Sequence, residues 1–454
     1  MDIQHLIDKY NVPAPRYTSY PTVPYWDTEP PEVNGWIKSI QLSFSQTNKT
    51  DGISLYVHLP FCESLCTYCG CNTRITKNHQ VEEPYINAVL AEWNLYCNIL
   101  EEKPLIKEIH LGGGTPTFFS HQNLQMLLTG LLSKATIHTD AEFSFEAHPN
   151  NTTEEHLQTL YDLGFRRLSL GIQDFDRKVQ FVINRMQSFE QVKLVTEQAR
   201  KIGYTSINYD LIYGLPLQTQ TGLVDTVNKV IELLPDRIAF YSYAHVPWAK
   251  PGQRRYTEEH LPSVEAKQKL YELGRKMFTQ IGYEEIGMDH FALKSDSLYK
   301  AEQSGKLHRN FMGYTHHYTR LMVSLGVSSI SDTWFAFAQN VKKVEDYLKL
   351  VNSGILPIFK GHVLTDEDLI IRKHILNLMC SGTTTWNDSS DVGDALLEGL
   401  ERVQEMVKDG LAEITQNSLT VTPSGKRFLR NICMALDARL YANEPTKQLF
   451  SMAG

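Results

Sequence analysis

The chain has 454 residues, 42% hydrophobic and 21% charged, with a formal net charge of −8, a length that holds two or three domains and a large core. The acidic balance argues against a general nucleic-acid or membrane-surface role, since both need a basic footprint, and no apolar run approaches the roughly 18 residues of a spanning helix. The start, Met1-Asp-Ile-Gln-His5, has no basic and then apolar leader, and seven cysteines with four inside ten residues do not make a disulfide framework, so a reducing cytoplasm is the expected location.

Residues 1–50 form a first part. Asn11-Val-Pro-Ala-Pro-Arg-Tyr-Thr-Ser-Tyr-Pro-Thr22 is rich in Pro and Tyr, hence an extended arm that must dock on something to be ordered. From 51 to about 245, short apolar or alternating runs at 53–58, 106–111, 141–147, 167–171, 206–211 and 237–241 predict strands. Between them, 82–100, 122–132, 188–202 and 223–234 carry the helical period. Repeated strand–helix units imply a parallel sheet with helices outside. The expected fold is α/β: a partial (β/α)6 TIM-like barrel over 51–335, followed by a mainly helical, winged-helix-like domain over 336–454. In that last part 409–422 predicts two short strands around a Gln-Asn-Ser turn, and 424–430 restarts a helix. Without a basic surplus this part reads as a lid or scaffold rather than a DNA reader.

The first strand runs directly into Cys62, Cys66, Cys69 and Cys71, the first three spaced C-x3-C-x2-C. Three thiolates on one loop can hold three irons of a [4Fe–4S] cube and leave the fourth without a protein ligand, which is where chemistry happens. A ferredoxin would want a fourth cysteine at its own spacing. A zinc site would want two separated pairs, and Cys69-Gly-Cys71 is too tight for both to ligate one ion comfortably. Plain burial does not explain four cysteines in ten residues, whereas Cys97, Cys380 and Cys433, far apart in helical contexts, read as inert packing. Polar and Gly-containing groups punctuate the other strand ends: Gly112-Gly-Gly-Thr-Pro116, Glu146-Ala-His-Pro149, Gly171-Ile-Gln-Asp174, Asp210 with Gly214-Leu-Pro216, and Tyr243-Ala-His-Val-Pro247. Catalytic groups of parallel α/β folds gather at those ends.

Read by themselves, these residues keep simpler alternatives. Tyr56 suits any strand, Glu146 and Asp210 could cap following helices, and Arg185 could sit on a helix surface.

The cysteine loop resembles that of the radical S-adenosylmethionine enzymes, and the chain as a whole resembles the oxygen-independent coproporphyrinogen III oxidase family. The resemblance rests on ordered blocks, among them Arg16-Tyr-Thr-Ser-Tyr-Pro-Thr22, Tyr56-Val-His-Leu-Pro-Phe-Cys62, His110-Leu-Gly-Gly-Gly-Thr-Pro-Thr117, Leu170-Gly-Ile-Gln-Asp-Phe175, Asn208-Tyr-Asp-Leu-Ile-Tyr-Gly-Leu-Pro216, Ile286-Gly-Met-Asp-His-Phe-Ala292 and Leu307-His-Arg-Asn-Phe311. It implies a radical SAM fold and an oxidoreductase that uses a [4Fe–4S] cluster and two S-adenosylmethionine molecules. A 5′-deoxyadenosyl radical would take hydrogen from substrate propionates, which lose CO2 and an electron to become vinyls. Coproporphyrinogen III would thereby become protoporphyrinogen IX.

The same resemblance makes Cys62, Cys66 and Cys69 the cluster ligands and Cys71 a further cysteine that is not a ligand; Cys71 and Tyr56 are its catalytic candidates. It puts Tyr56, Gly113, Glu146 and Ile330 around the first S-adenosylmethionine, and Gly114, Thr115, Gln173, Arg185, Asp210 and Ala244 around the second. Arg16, Arg309, Phe311 and Arg320 lie in or near the family blocks as candidates for the substrate, whose four propionates call for a local cationic site. A one-electron reductant such as flavodoxin or ferredoxin, a terminal electron acceptor, no nucleic-acid or membrane partner and a monomer complete the expectation.

Some positions depart from the family pattern. Met312 and His316-His317 stand where it continues Gln-Gly-Tyr-Thr-Thr, Arg320 and Ser324 replace an aspartate and a glycine, and Asn150 follows Pro149 in place of an arginine. Two other readings follow. One is a haem-carrying relative with His316 and His317 as axial ligands, against which stand the arm and Cys71. The other is a radical reaction on a different tetrapyrrole.

Overall fold

The computed structural model describes residues 3–27, 33–248, 250–387, 391–445 and 447–453; residues 1, 2 and 28–32 of the expected arm lie outside these. Six strands, β1 (Ile53–Leu59), β2 (Leu105–Gly113), β3 (Thr136–Ala147), β4 (Phe165–Gln173), β5 (Ser206–Tyr213) and β6 (Arg237–Ser242), lie side by side in chain order and all parallel. Parallel strands are covered on both faces and so are apolar along most of their length; in β1 every residue but Tyr56 is buried. Helices cross between them, including Glu82–Ile99, His121–Ser133, Glu154–Asp162, Phe189–Ile202 and Gln220–Leu233. Four of these begin at Ser120, Thr153, Ser188 and Thr219, whose side chains accept from backbone N–H groups in the first turn. Each such cap contributes about 1 kcal/mol.

The sheet does not end with these six strands. At one edge β8 (His290–Leu293) pairs antiparallel with β6, and β7 (Tyr283–Ile286) pairs antiparallel with β8. At the other, β9 (Met322–Leu325) runs parallel to β1 and is followed by the antiparallel β10 (Ile330–Asp332), β11 (Ala336–Asn340) and β12 (Ile358–Val363). Twelve strands therefore form one open sheet with β12 and β7 at its margins, consistent with a partial barrel. The sheet crosses the boundary expected at 335, because all five residues of β11 are buried and β12 pairs along it.

The N-terminal part is also more ordered than an extended arm. Ile3–Tyr10 and Val33–Thr47 are helices, and the second buries Trp36, Ile40 and Phe44, one turn apart on a single face. Leu6, Ile7, Tyr10, Tyr17 and Tyr20 share a second core with helices Asp366–Ser381, Asp394–Lys408 and Leu429–Ala435. The arm is thus docked on the C-terminal domain. There the expected hairpin, Ala412–Ile414 and Ser418–Val421, takes Thr383–Thr385 as a third strand. Cys433 is buried in this core, and burial raises the thiols of Cys97, to about 11, and Cys380, to about 12. Among the described residues no helix is long and apolar enough to cross a membrane.

Candidate active site

After β1 the chain makes a short parallel pairing between Phe61–Cys62 and Arg74–Ile75, and this closes the cysteine loop at its base. Neighbouring segments hold the loop from outside. Thr67 N–H donates to the Ile183 carbonyl at 2.9 Å, Asn184 Nδ2 to the Leu65 carbonyl at 2.8 Å, and Lys250 Nζ to the Gly70 carbonyl at 2.7 Å. His58 Nε2 lies 2.9 Å from the Asn72 carbonyl and orders the outgoing side. All seven cysteines are free thiols. The clustered four line a cleft of about 370 Å³ at the carboxyl ends of the strands, opposite Gly113 at the end of β2, Gly114 and Thr115 just after it, Glu146 of β3, Gln173 of β4 and Asp210 of β5.

The glycines are a steric requirement. Gly113 has φ +110°, and a Cβ there would sit 2.7 Å from the His58 ring; a Cβ on Gly114 would sit 2.6 Å from the Pro60 carbonyl. Bare backbone is therefore what faces the cleft here. Gln173 holds a left-handed φ of 66° with its side chain in the cleft, an uncommon conformation that gathers at functional sites.

Charge is arranged as closely. Burial alone would raise the Glu146 carboxyl, but the hydrogen bond and charge of His110 and the Gly113 N–H, 3.2 Å away, outweigh it and hold it below the usual range. Asp210 goes the other way: burial, with Glu146 adding, raises it to about 6. Arg185 donates from Nη2 to the Gly171 carbonyl at 2.6 Å and from Nη1 to Cys66 Sγ at 3.6 Å, while its buried Nε has no partner. Burial raises the Cys62 thiol to about 11, and the hydrogen bond with Cys71 lowers that of Cys69 to about 6, toward the thiolate that metals bind. Tyr56 stacks on His110 with ring centroids 6.0 Å apart and hydrogen-bonds His58 Nδ1 at 3.1 Å.

The whole chain can now be set beside known proteins. Residues 56–230 match the radical SAM superfamily. An oxygen-independent coproporphyrinogen III oxidase from Salmonella typhimurium is 37% identical over 440 residues, 96% of this chain and 95% of that protein. This chain belongs to the oxygen-independent coproporphyrinogen III oxidase family. A second member, from Helicobacter pylori, is 36% identical over 96% of both chains. The solved structure of coproporphyrinogen III oxidase from Escherichia coli, described as a radical SAM enzyme, superposes with a TM-score of 0.88 at 34% identity, over 96% of this chain and 98% of that one.

Radical SAM membership implies a [4Fe–4S] cluster and S-adenosylmethionine, and the residues present fit both. Three thiols beside one unpartnered arginine N–H, next to backbone kept bare by Gly113 and Gly114, are donors suited to an iron–sulfur cluster and to an amino-acid ligand.

Not every expected residue joins them. Ala244 follows β6 with its carbonyl bonded to Gln253 Nε2 at 3.2 Å, and Ile330 packs near Trp26 and Phe337; neither lines the cleft. Phe311 packs edge-on to Trp26 and Phe337. Arg16 pairs with Asp289 at 3.0 Å and lines a separate cationic cavity of about 350 Å³ with Lys267, Arg427 and Arg430. Arg309 is buried against the Tyr314 ring and donates to the Arg16 carbonyl at 3.2 Å.

Arg320 is a correction. It precedes β9, which starts level with Ser54 at the amino end of β1, and donates to Gln46 Oε1 at 2.7 Å. Parallel pairing therefore carries it to the end of the barrel opposite the cleft.

Two participants went unread in the sequence, His58 and His110. Alternation along β1 and β2 was the available signal, since it puts Tyr56 with His58, and His110 with Gly112, on common faces. A smaller cavity of about 190 Å³ lies inward of the cleft, shares Glu146, Ser169 and Asp210 with it, and is lined also by His110, Tyr241, His290 and Met312. The departure at Met312 thus bears on the barrel interior.

Proposed function

We propose that this chain carries out the oxidative decarboxylation of two propionates of coproporphyrinogen III to vinyls, giving protoporphyrinogen IX without oxygen. The observation that carries the reading is the meeting of the cysteine loop with Glu146, Arg185 and Asp210 in one cleft at the strand ends. When bound, the [4Fe–4S] cluster and S-adenosylmethionine supply the one-electron chemistry that removes a hydrogen from a substrate propionate.

The chain's own groups bind, orient and exclude water. Cys62, Cys66 and Cys69 hold the cluster, and Cys71 stays a thiol that hydrogen-bonds Cys69. Tyr56, Gly113 and Glu146 surround a first S-adenosylmethionine, where an ionised Glu146 suits an ammonium group. Gly114, Thr115, Gln173, Arg185 and Asp210 surround a second: Asp210 accepts from ribose hydroxyls and Arg185 grips a carboxylate. Ile330 and Ala244, set back from the cleft, support the first and the second molecule from behind its lining. Arg16, supported by Arg309, meets propionates from the cationic cavity. Electrons come singly from a reductant such as flavodoxin or ferredoxin, the free thiols suit a reducing cytoplasm, and the chain acts as a monomer. The arm, barrel and C-terminal domain act as three parts, with the arm tied to the third.

The haem-carrying alternative loses its ligand pair. The rings of His316 and His317 lie 3.9 Å apart, which leaves no room for a macrocycle between them.

The test is anaerobic turnover of coproporphyrinogen III by the cluster-loaded protein with S-adenosylmethionine and a strong reductant, with products separated by chromatography and mass. Protoporphyrinogen IX with 5′-deoxyadenosine, both abolished by Cys66→Ala, is the expected result. Formation of 5′-deoxyadenosine with coproporphyrinogen untouched would overturn the substrate.

A further inference from the structure

At the end of the barrel opposite the cleft, Glu108 on β2 and Glu142 on β3 lie side by side in register, and Ser54 of β1 lies beside Glu108. The chain returns to this layer after the short hairpin of His308–Asn310 with Gly313–Thr315, and there it carries the adjacent pair His316-His317. This is the one place among the described residues where three groups of metal-ligand type, Glu142, His316 and His317, offer donor atoms all within 4.8 Å of one another.

We propose that Glu142, His316 and His317 form a binding site for one divalent transition-metal ion of the zinc class. Two imidazoles and one carboxylate are a donor set that zinc takes with an open fourth position. The separations suit it. His316 Nε2 lies 3.5 Å from a carboxylate oxygen of Glu142, and ligands at bond lengths of about 2.0–2.1 Å stand about 3.4 Å apart along a tetrahedral edge.

Each ligand is held in the form it needs. The Ser297 hydroxyl is 3.3 Å from His316 Nδ1, so the outer ring nitrogen is oriented by a partner, as ligating histidines commonly are. Arg167 takes the other carboxylate oxygen of Glu142. His317 is fixed through its backbone N–H to Thr315 Oγ1 at 3.2 Å, yet its Nε2 is buried with no hydrogen-bond partner. An unpartnered buried nitrogen is destabilising, and a metal ion would satisfy it. Arg167, Arg237 and Lys107 are the cations near these groups, with Arg237 tied to Asp296 at 2.6 Å and Lys107 to Asp140 at 3.6 Å. They oppose a positive ion there, Glu142 and the neighbouring Asp296 offset them, and none of them occupies a histidine nitrogen. The ion would tie β3 to the segment that leads back from Met312 in the barrel interior, a structural role at the face of the barrel where catalysis is not expected.

The experiment uses the full chain with its cluster loaded. It is equilibrated anaerobically with a slight excess of zinc, dialysed against metal-free buffer, and assayed for zinc and iron together. About one zinc per chain is expected with the iron unchanged, falling at least about tenfold in His316→Gln/His317→Asn. X-ray absorption at the zinc edge should give only nitrogen and oxygen neighbours at about 2.0–2.1 Å. Wild-type protein that retains no zinc, zinc retained equally by the double variant, or sulfur at about 2.3 Å around zinc would each overturn the proposal. The first and third readings need no variant to fold.

Discussion

Arg185 reaches Cys66 Sγ with Nη1 at 3.6 Å while its Nη2 holds the Gly171 carbonyl at 2.6 Å. One guanidinium thus ties the cysteine loop to the end of β4, and its charge sits beside a cluster ligand. Removing it leaves the Gly171 carbonyl only the longer bond from Gln187 Nε2 at 3.3 Å and takes a cation from the cluster's surroundings. In Arg185→Ala, iron content should persist, but 5′-deoxyadenosine formation should fall about 10–100-fold. The cluster's reduction potential should move negative, because its charge is less compensated. Stoichiometric iron with an unchanged potential would show that Arg185 acts on the second ligand alone.

Gly114 offers a purely steric test. An added Cβ meets the Pro60 carbonyl carbon and oxygen at 2.6 Å and the Leu59 carbonyl oxygen at 2.9 Å, all of them backbone. These atoms cannot swing aside as a side chain would. Gly114→Ala should therefore displace the start of the cysteine loop, costing about 1–3 kcal/mol and most of the S-adenosylmethionine cleavage. Chemical denaturation and product yield measured on one preparation would separate the two effects.

The six parallel strands were legible because each is a compact apolar run followed by a polar or glycine-rich end. The flanking strands were not. Ile330–Asp332 and Ala336–Asn340 have only three and five residues, too few for periodicity to register, and they join the sheet by hairpins rather than helices. The helix Val33–Thr47 carried its signal in Trp36, Ile40 and Phe44, obscured by the Pro-rich stretch before it. At the site, cysteine spacing is local and could be read directly. The approach of Glu142 to His316 is made by a loop packing on a distant strand and could not. Arg320 misled for the same reason, since nearness in sequence to Phe311 did not survive the return of the chain to the amino end of β1.

Asp210 predicts a pH dependence. Burial, with Glu146 adding, raises its carboxyl from 3.8 to about 6, while Asn208 Nδ2 at 2.8 Å and Ser169 Oγ at 3.1 Å donate to it. A folded value above the ordinary one means that the folded protein binds this proton more tightly. The contribution to stability is complete at low pH and is lost as pH rises from about 4 to about 6. Ligand binding has the opposite sense, since only the ionised form accepts from two hydroxyls. S-adenosylmethionine affinity should fall up to about tenfold per pH unit below about 6. Asp210→Asn should bind more weakly and show a flat profile over that range, read by equilibrium dialysis with labelled ligand. A wild-type profile equally flat would remove Asp210 from the site.

Arg430 predicts that the arm can be released without touching the cleft. Its buried guanidinium donates to the carbonyls of Pro15 at 3.1 Å, Met452 at 3.0 Å and Ser451 at 3.2 Å, and also to that of Ala14. The two ends of the chain are thereby held against one side chain, and Asn431 adds a bond to the Tyr10 carbonyl at 2.9 Å. Loss of the charged donor leaves several carbonyls unpaired and should cost on the order of 3 kcal/mol. In Arg430→Ala, protease should cut within 11–16 sooner than elsewhere, since that stretch keeps only its backbone bonds to Ser451 and Ala453 and the contacts of Arg16, while Tyr10, Tyr17 and Tyr20 stay packed on either side. Arg16 follows the released segment, so the KM for coproporphyrinogen III should rise while 5′-deoxyadenosine formation without substrate is unchanged. An equal fall in both would mean that the arm supports the cleft itself rather than the substrate.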